Sequence, residues 1–192
     1  MLEGKLIEIR WHARGGQGAV TAAKLLAETA LSQGQYFQAF PEYGPERMGA
    51  PIQAFTRISS DPILIRSSIT NPSIVAVLDS TLLGTVNVTA GMGEDGIIIV
   101  NTPDDPATIR ATMKLEGCKV YTLDANKIAK ETIGRAIPNT PMMGALIKVI
   151  GTMPIEQVAQ YVRKSFGKKF SEEIIEGNVK AVERAYAEVK GE

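Results

Sequence analysis

The sequence predicts an α/β fold. The expectation is a single domain over residues 1–192, with a mostly parallel or mixed sheet, helices on both faces, a Rossmann-like glycine turn near the N-terminus and a helical C-terminus. Three observations carry it. Short apolar runs at residues 74–78, 97–100 and 120–123 alternate with segments of helical periodicity, the pattern of βαβ units. A run of glycines at Gly15, Gly16 and Gly18 joins an apolar stretch to an alanine-rich one. The last part of the chain keeps helical spacing with no further strand. At 192 residues the length suits one domain, since domains cluster near ~100 to 200 residues.

Taking the elements in order, Leu6, Ile7, Ile9 and Trp11 read as a strand too short for a buried helix. His12-Ala13-Arg14-Gly15-Gly16-Gln17-Gly18 follows as a loop. Ala19, Val20, Ala22, Ala23, Leu25, Leu26, Ala27, Ala30 and Leu31 then read as a helix that ends before Gly34, because alanine and leucine are strong helix formers. A strand, a glycine turn and a helix present first-turn N–H groups, which lack an intrahelical acceptor, to an anion at the positive end of the dipole. Gly16-Gln17-Gly18-Ala19-Val20-Thr21 falls one residue short of the dinucleotide fingerprint, with Thr21 in the third glycine's place. A tight βα turn and an anion site both fit that spacing. Arg14 favours the second, since a guanidinium offers a two-pronged fork to phosphate.

Tyr36, Phe37, Ala39 and Phe40 read as a second strand. Residues 41–51 then pack three prolines and two glycines among one aromatic and three charged residues, so neither helix nor central strand can form. Such a loop is stiff. It is expected to hold Tyr43, Glu46 and Arg47 in fixed positions for a ligand or partner, because little entropy is lost on binding. Ile52, Ala54, Thr56 and Ile58 alternate as a strand, and Asp61-Pro62 turns the chain toward Ile63-Leu64-Ile65 as a hairpin partner.

Residues 74–78 form a continuous apolar run, expected as a parallel strand buried on both faces. Asp79-Ser80-Thr81 lies where open α/β sheets bind ligands, but capping is the favoured reading for these residue types. Residues 97–100 give another strand, Pro106 opens a helix over about 107–115, residues 120–123 give a further strand, and Asp124 caps a helix toward Gly134. Pro138-Asn139-Thr140-Pro141 reads as a loop. The segment from Met142 and Met143 to Ile150 is apolar nearly all round, so its helix belongs in the core or against another subunit. Ile155, Val158, Ala159, Val162 and Phe166 mark one more helix. Ile175, Val179, Val182, Tyr186 and Val189 mark the last, capped by Ser171.

Composition excludes several classes. Lysine plus arginine and aspartate plus glutamate number 21 each, so the formal charge is zero and there is no electrostatic footprint for nucleic acid. No apolar run approaches the ~18 to 20 residues of a membrane span, so a soluble, cytoplasmic protein is expected. Cys118 is the single cysteine and cannot supply the thiolate set of an iron–sulfur cluster. His12 is the single histidine, which rules out a multi-histidine metal site and, at a strand end, reads as structural. No P-loop lysine and no nucleophile elbow is present, so no residue is assigned a catalytic role or a metal.

Three stretches together resemble the gamma subunits of 2-oxoacid:ferredoxin oxidoreductases, the pyruvate enzymes most nearly. They are Ile9-Arg10-Trp11-His12-Ala13-Arg14-Gly15-Gly16-Gln17-Gly18, the proline loop over residues 41–51, and Asn139-Thr140-Pro141-Met142-Met143-Gly144-Ala145. Ala13 stands where that family usually has glycine, and Met48 where an arginine is common. The resemblance implies a complex that converts pyruvate, coenzyme A and oxidised ferredoxin to acetyl-CoA, CO₂ and reduced ferredoxin. Thiamine diphosphate and the iron–sulfur clusters would be carried by alpha, beta and delta subunits, with ferredoxin meeting the complex as a whole. Within it this chain would bind CoA and pack against the catalytic subunits. On that reading Arg14, Gly15, Gly16, Gln17, Gly18 and Asn139 face CoA or its phosphates, and Tyr43, Glu46, Arg47, Met142 and Met143 face partner subunits.

Other readings stay open at this point. A free-standing NAD-dependent oxidoreductase would use Glu42, about twenty residues past the glycines, to hold the ribose. A gamma subunit acting with 2-oxoglutarate, branched-chain or indolepyruvate partners would look the same in these motifs. A scaffold would use the glycine loop only as a turn and the proline loop as an interface.

Overall fold

The apolar runs become the centre of a sheet. In the computed structural model, which describes residues 6–32, 34–42, 48–151, 153–167 and 169–192, the strands are β1 (Ile7–Arg14), β2 (Tyr36–Pro41), β3 (Pro51–Ser59), β4 (Ile74–Val77), β5 (Ile97–Asn101), β6 (Lys119–Leu123) and β7 (Lys190–Gly191). They form one seven-stranded mixed sheet in the order β2-β3-β1-β4-β5-β6-β7. β1, β4, β5 and β6 run parallel; β3 lies antiparallel to both β1 and β2, and β7 antiparallel to β6. All four residues of β4 are buried, as its unbroken apolar sequence requires in a strand covered on both faces.

The helices are α1 (Ala19–Ser32), α2 (Pro106–Met113), α3 (Ala125–Ile133), α4 (Asn139–Ile150), α5 (Ile155–Phe166) and α6 (Glu172–Glu188), with a short 3₁₀ turn at Ser80–Gly84. Alternation along the strands sends their side chains into two cores. Ile9, Trp11 and Ala13 of β1 and Ile74 and Ala76 of β4 join the larger one beneath α1, α3, α4, α5 and α6. Val75, Val77, Ile98, Val100 and Val120 face the other side, where Leu82 of the 3₁₀ turn and Ile109 of α2 cover them. Trp11 is fully buried and donates its indole N–H to Thr56 Oγ1 at 3.0 Å, whose hydroxyl bonds the Ala23 carbonyl, so the largest core side chain leaves no unpaired group.

α4 explains its own sequence. It packs against α1, α3, α5 and α6, and has residues from Thr140 to Ile147 buried without a break. Gly144 permits the tightest of these contacts: a Cβ there would stand 2.4 Å from the Val182 carbonyl oxygen of α6. Met142 and Met143 are therefore fully buried inside this chain, and the expectation that they face a partner subunit is corrected.

Four boundaries differ from the sequence reading. β1 continues through His12, Ala13 and Arg14, because β3 pairs with it as far as Arg14 opposite Pro51. Ile63-Leu64-Ile65 is not a strand, since both edges of β3 are already taken by β1 and β2; Gln38 Nε2 instead donates to the carbonyls of Ile63 and Ile65. α4 begins at Asn139, with Pro141 accommodated in its first turn, where a missing N–H costs nothing. The two-residue β7 has no sequence signal of its own. Among the described residues no helix is long and apolar enough to cross a membrane.

Candidate functional site

The glycine turn is built by hydrogen bonds that close on themselves. Gln17 N–H donates to the Arg14 carbonyl at 3.1 Å, and the Gln17 side-chain oxygen accepts the Arg14 N–H at 2.8 Å. Gly15 N–H donates to the Ala50 carbonyl at 2.9 Å, and Gly49 N–H to the Gly15 carbonyl at 3.2 Å, which ties the turn to the start of β3. Gly16 and Gly18 take φ of +97° and +81°, a region other residues adopt only under strain. Among the described residues nothing accepts the N–H groups of Gly16, Gly18, Ala19, Val20 and Thr21. They are the unspent donors of the α1 N-terminus.

Asn139 completes the arrangement from the far side of the chain. It opens α4; its Oδ1 accepts the Thr140 N–H at 2.8 Å, and its Nδ2 has no acceptor among the described residues. That amide packs directly on Gly18, where a Cβ would come within 2.7 Å of Nδ2. The N-termini of α1 and α4 thus meet across Gly18. Two positive helix ends brought together gain most from an anion between them. A cleft of about 1020 Å³ opens from Gly16, Gly18 and Asn139 along Lys24 of α1 toward Lys130 and Lys169. On the other side of the turn a shallower hollow of about 430 Å³ is lined by Val20, Ile52 and Met48, the last 95% exposed.

Arg14 and Gln17 do something other than expected. Arg14 Nε and Nη2 donate to Thr81 Oγ1 at 3.1 and 2.9 Å, Nη1 donates to the Gly49 carbonyl at 3.1 Å, and Nε lies 3.5 Å from Asp79 Oδ2. Gln17 Nε2 donates to Asp79 Oδ2 at 2.7 Å. Both side chains are spent on holding the turn, so its backbone and Asn139 remain as the groups that can take a ligand. Burial alone would raise the Asp79 pKa; hydrogen bonds from Thr81 and Gln17, with the Arg14 charge, outweigh it and hold the carboxyl below its ordinary value. Asp79 does cap the 3₁₀ turn, accepting the Thr81 N–H, but the sequence reading missed its second task. The signal for it was position: a polar residue directly after a buried parallel strand.

Tyr43, Glu46 and Arg47 lie outside the described residues. Glu42 stands at the end of β2, two strands from β1 because β3 intervenes, and strands lie ~4.8 Å apart. The dinucleotide arrangement needs its acidic residue on the strand beside the glycine strand, so this placement disfavours it.

Residues 8–188 match the family described as pyruvate ferredoxin/flavodoxin oxidoreductase. The chain belongs to that family. It is 50% identical over 186 residues to the pyruvate synthase subunit PorC of Thermotoga maritima, covering 97% of this chain and 96% of the relative. It is 49% identical over 181 residues to the protein of Pyrococcus abyssi named as the common gamma subunit of pyruvate and ketoisovalerate oxidoreductases, covering 94% and 96%. The crystal structure of the Thermotoga maritima pyruvate oxidoreductase subunit PORC superposes with a TM-score of 0.85 at 45% identity, covering 97% of this chain and 98% of that one. The α/β sheet with its C-terminal helices is therefore the fold of this oxidoreductase family.

His12, although part of the family-like motif, has a structural place. Its Nε2 accepts Arg10 Nε at 3.1 Å, and Arg10 Nη2 donates onward to the Val88 and Ala90 carbonyls. Burial, then the nearby Arg10 charge, push its pKa down to about 4, against a smaller opposing effect of the Val88 carbonyl. A histidine neutral in the folded state binds its proton more readily unfolded, so its contribution to stability is whole above about 6.5 and is lost as pH falls toward about 4. Stability measured by denaturant should fall over that window, and the slope should flatten in His12→Gln. An imidazole NMR titration with a midpoint near 6.5 would contradict this.

Proposed function

We propose that this chain is the gamma subunit of a pyruvate:ferredoxin oxidoreductase, binding coenzyme A at the glycine turn and packing against the subunits that carry the redox chemistry. The observation that carries the reading is the meeting of the α1 and α4 N-termini at Gly18, with unspent donors at Gly16, Gly18 and Asn139. CoA is rich in phosphate, and phosphate oxygens suit this cradle of N–H groups. The cleft beside it has room for the rest of the nucleotide, with Lys24, Lys130, Arg135 and Lys169 on its walls alongside Glu28, Glu131 and Glu173. The relatives named as pyruvate synthase and oxidoreductase gamma subunits support the same reading.

Thiamine diphosphate and the iron–sulfur clusters belong, on this reading, to alpha, beta and delta subunits, through which ferredoxin is reduced in the cytoplasm. A chain with one cysteine, Cys118, buried behind β6, has no thiolate set to offer them. Selection among 2-oxoacids also falls to those subunits; the Pyrococcus abyssi relative is named as common to two oxidoreductases.

The test is purification of the native complex and assay of CoA-dependent pyruvate oxidation with ferredoxin. Copurification with larger subunits is expected. In the reassembled complex Asn139→Ala should raise the KM for CoA by roughly tenfold, the loss of one hydrogen bond to a charged group, with the KM for pyruvate unchanged. A chain that purifies alone, or an Asn139→Ala complex with unaltered CoA kinetics, refutes the reading.

A further inference from the structure

We propose that Asp79 is the positioning residue of the glycine turn, fixing through Gln17, and through Thr81 and Arg14, the backbone that faces CoA. The inference rests on the reading of that turn as the CoA site. Asp79 follows β4 and lies far from the turn in sequence, yet all four side-chain or backbone donors around it converge on its carboxylate. Gln17 Nε2 reaches Oδ2 at 2.7 Å, Thr81 Oγ1 and N–H reach Oδ1 at 2.6 and 3.0 Å, and Arg14 Nε stands 3.5 Å from Oδ2.

The donor pattern explains why the residue must be a carboxylate. Arg14 N–H points into the turn and takes the Gln17 side-chain oxygen as its acceptor. That fixes the Gln17 amide, whose NH₂ end must then find an acceptor on the other side. An ionised aspartate accepts at every lone pair and donates nothing. An asparagine in its place would turn an NH₂ toward either Gln17 or Thr81, and Gln17 could not flip in response without aiming its own NH₂ at the Arg14 N–H. The Arg14 guanidinium would lose its counter-charge as well. The conflict is passed to the backbone between Arg14 and Gly18, which carries the unspent donors. Gln17 and Arg14 touch the ligand only through that backbone, and Asp79 stands one step further back.

The experiment compares Asp79→Asn with Asn139→Ala in the assembled complex, reading kcat and the KM for CoA and for pyruvate separately. The expected result is a KM for CoA raised about tenfold in Asp79→Asn, as for loss of a charge-assisted hydrogen bond, while kcat and the KM for pyruvate hold. Thr81→Val removes the hydroxyl bridge to Arg14 and leaves Gln17 in place; it should give a smaller rise of the same kind, and it carries the test if Asp79→Asn fails to assemble. If Asn139→Ala raises the KM for CoA and neither Asp79→Asn nor Thr81→Val does, Asp79 has no positioning role and the site reading stands. If all three leave it unchanged, the CoA reading itself fails and the inference with it. Equal rises in both KM values, or lower thermal stability with unaltered CoA kinetics, mark a purely structural residue and overturn the inference.

Discussion

Gly144→Ala is expected to destabilise the protein, against the usual sign for a helix interior. Alanine at an exposed helix position gains ~1 kcal/mol over glycine through propensity and lower backbone entropy. At Gly144 the added methyl would meet the backbone of α6, with the Val182 carbonyl oxygen at 2.4 Å and its carbonyl carbon at 3.0 Å. Backbone cannot rotate away as a side chain can, so α4 and α6 must part, and overpacking of this kind costs ~1–3 kcal/mol or more. The net expectation is a loss of about 1 kcal/mol, a fall in Tm of about 2–4 °C for a chain of this size. Gly84→Ala is the control, since nothing lies within 4 Å of a Cβ there. A Tm that holds or rises in Gly144→Ala, measured by calorimetry, would show that the two helices slide apart without cost.

The second large effect belongs to Gly18. Its φ of +81° already strains any residue with a side chain, and a Cβ would lie 2.7 Å from Asn139 Nδ2 and 3.1 Å from Asn139 Cβ. Gly18→Ala should therefore push the start of α4 off the start of α1 and, with the turn as the CoA site we propose, raise the KM for CoA in the assembled complex by well over tenfold. Gly16→Ala isolates the cause. Its φ is +97° but its Cβ would meet nothing within 4 Å, so it carries backbone strain without the collision. Equal effects in the two variants would mean that the Asn139 contact does not matter; a larger effect at Gly18 is the expected outcome.

Much of this architecture was legible in residue patterns. Buried runs such as Ile74, Val75, Ala76 and Val77 have to be central parallel strands, Pro106 opens α2, and Asp124 caps α3 by accepting the N–H of Lys127. What escaped was settled by distant partners. His12 to Arg14 looked like loop because glycines follow, but β3 holds them in the sheet. Ile63 to Ile65 looked like a hairpin partner of β3, but β1 and β2 already hold both of its edges. For the site, the partners of Arg14 and Gln17 could not be read from the sequence. A charged side chain beside a glycine turn reads as a ligand group until its counter-ion is known, and Asp79 lies after another strand, far off in sequence. The apolar run from Met142 announced burial, but that it lies within this chain depended on Gly144 admitting α6, which no local pattern announces.

The turn at Gly18 also has a place in the order of assembly. It leans on Ala50 before β3, on Asp79 after β4 and on Asn139 at the head of α4, segments spread over most of the chain. Closing contacts between residues so far apart in sequence is the slow part of folding, because each costs loop entropy before it returns anything. The cradle proposed for CoA is therefore complete only once α4 has packed against the start of α1. A chain in which α4 has not packed against α1 lacks Asn139 beside Gly18, and with it one wall of the cradle proposed for CoA.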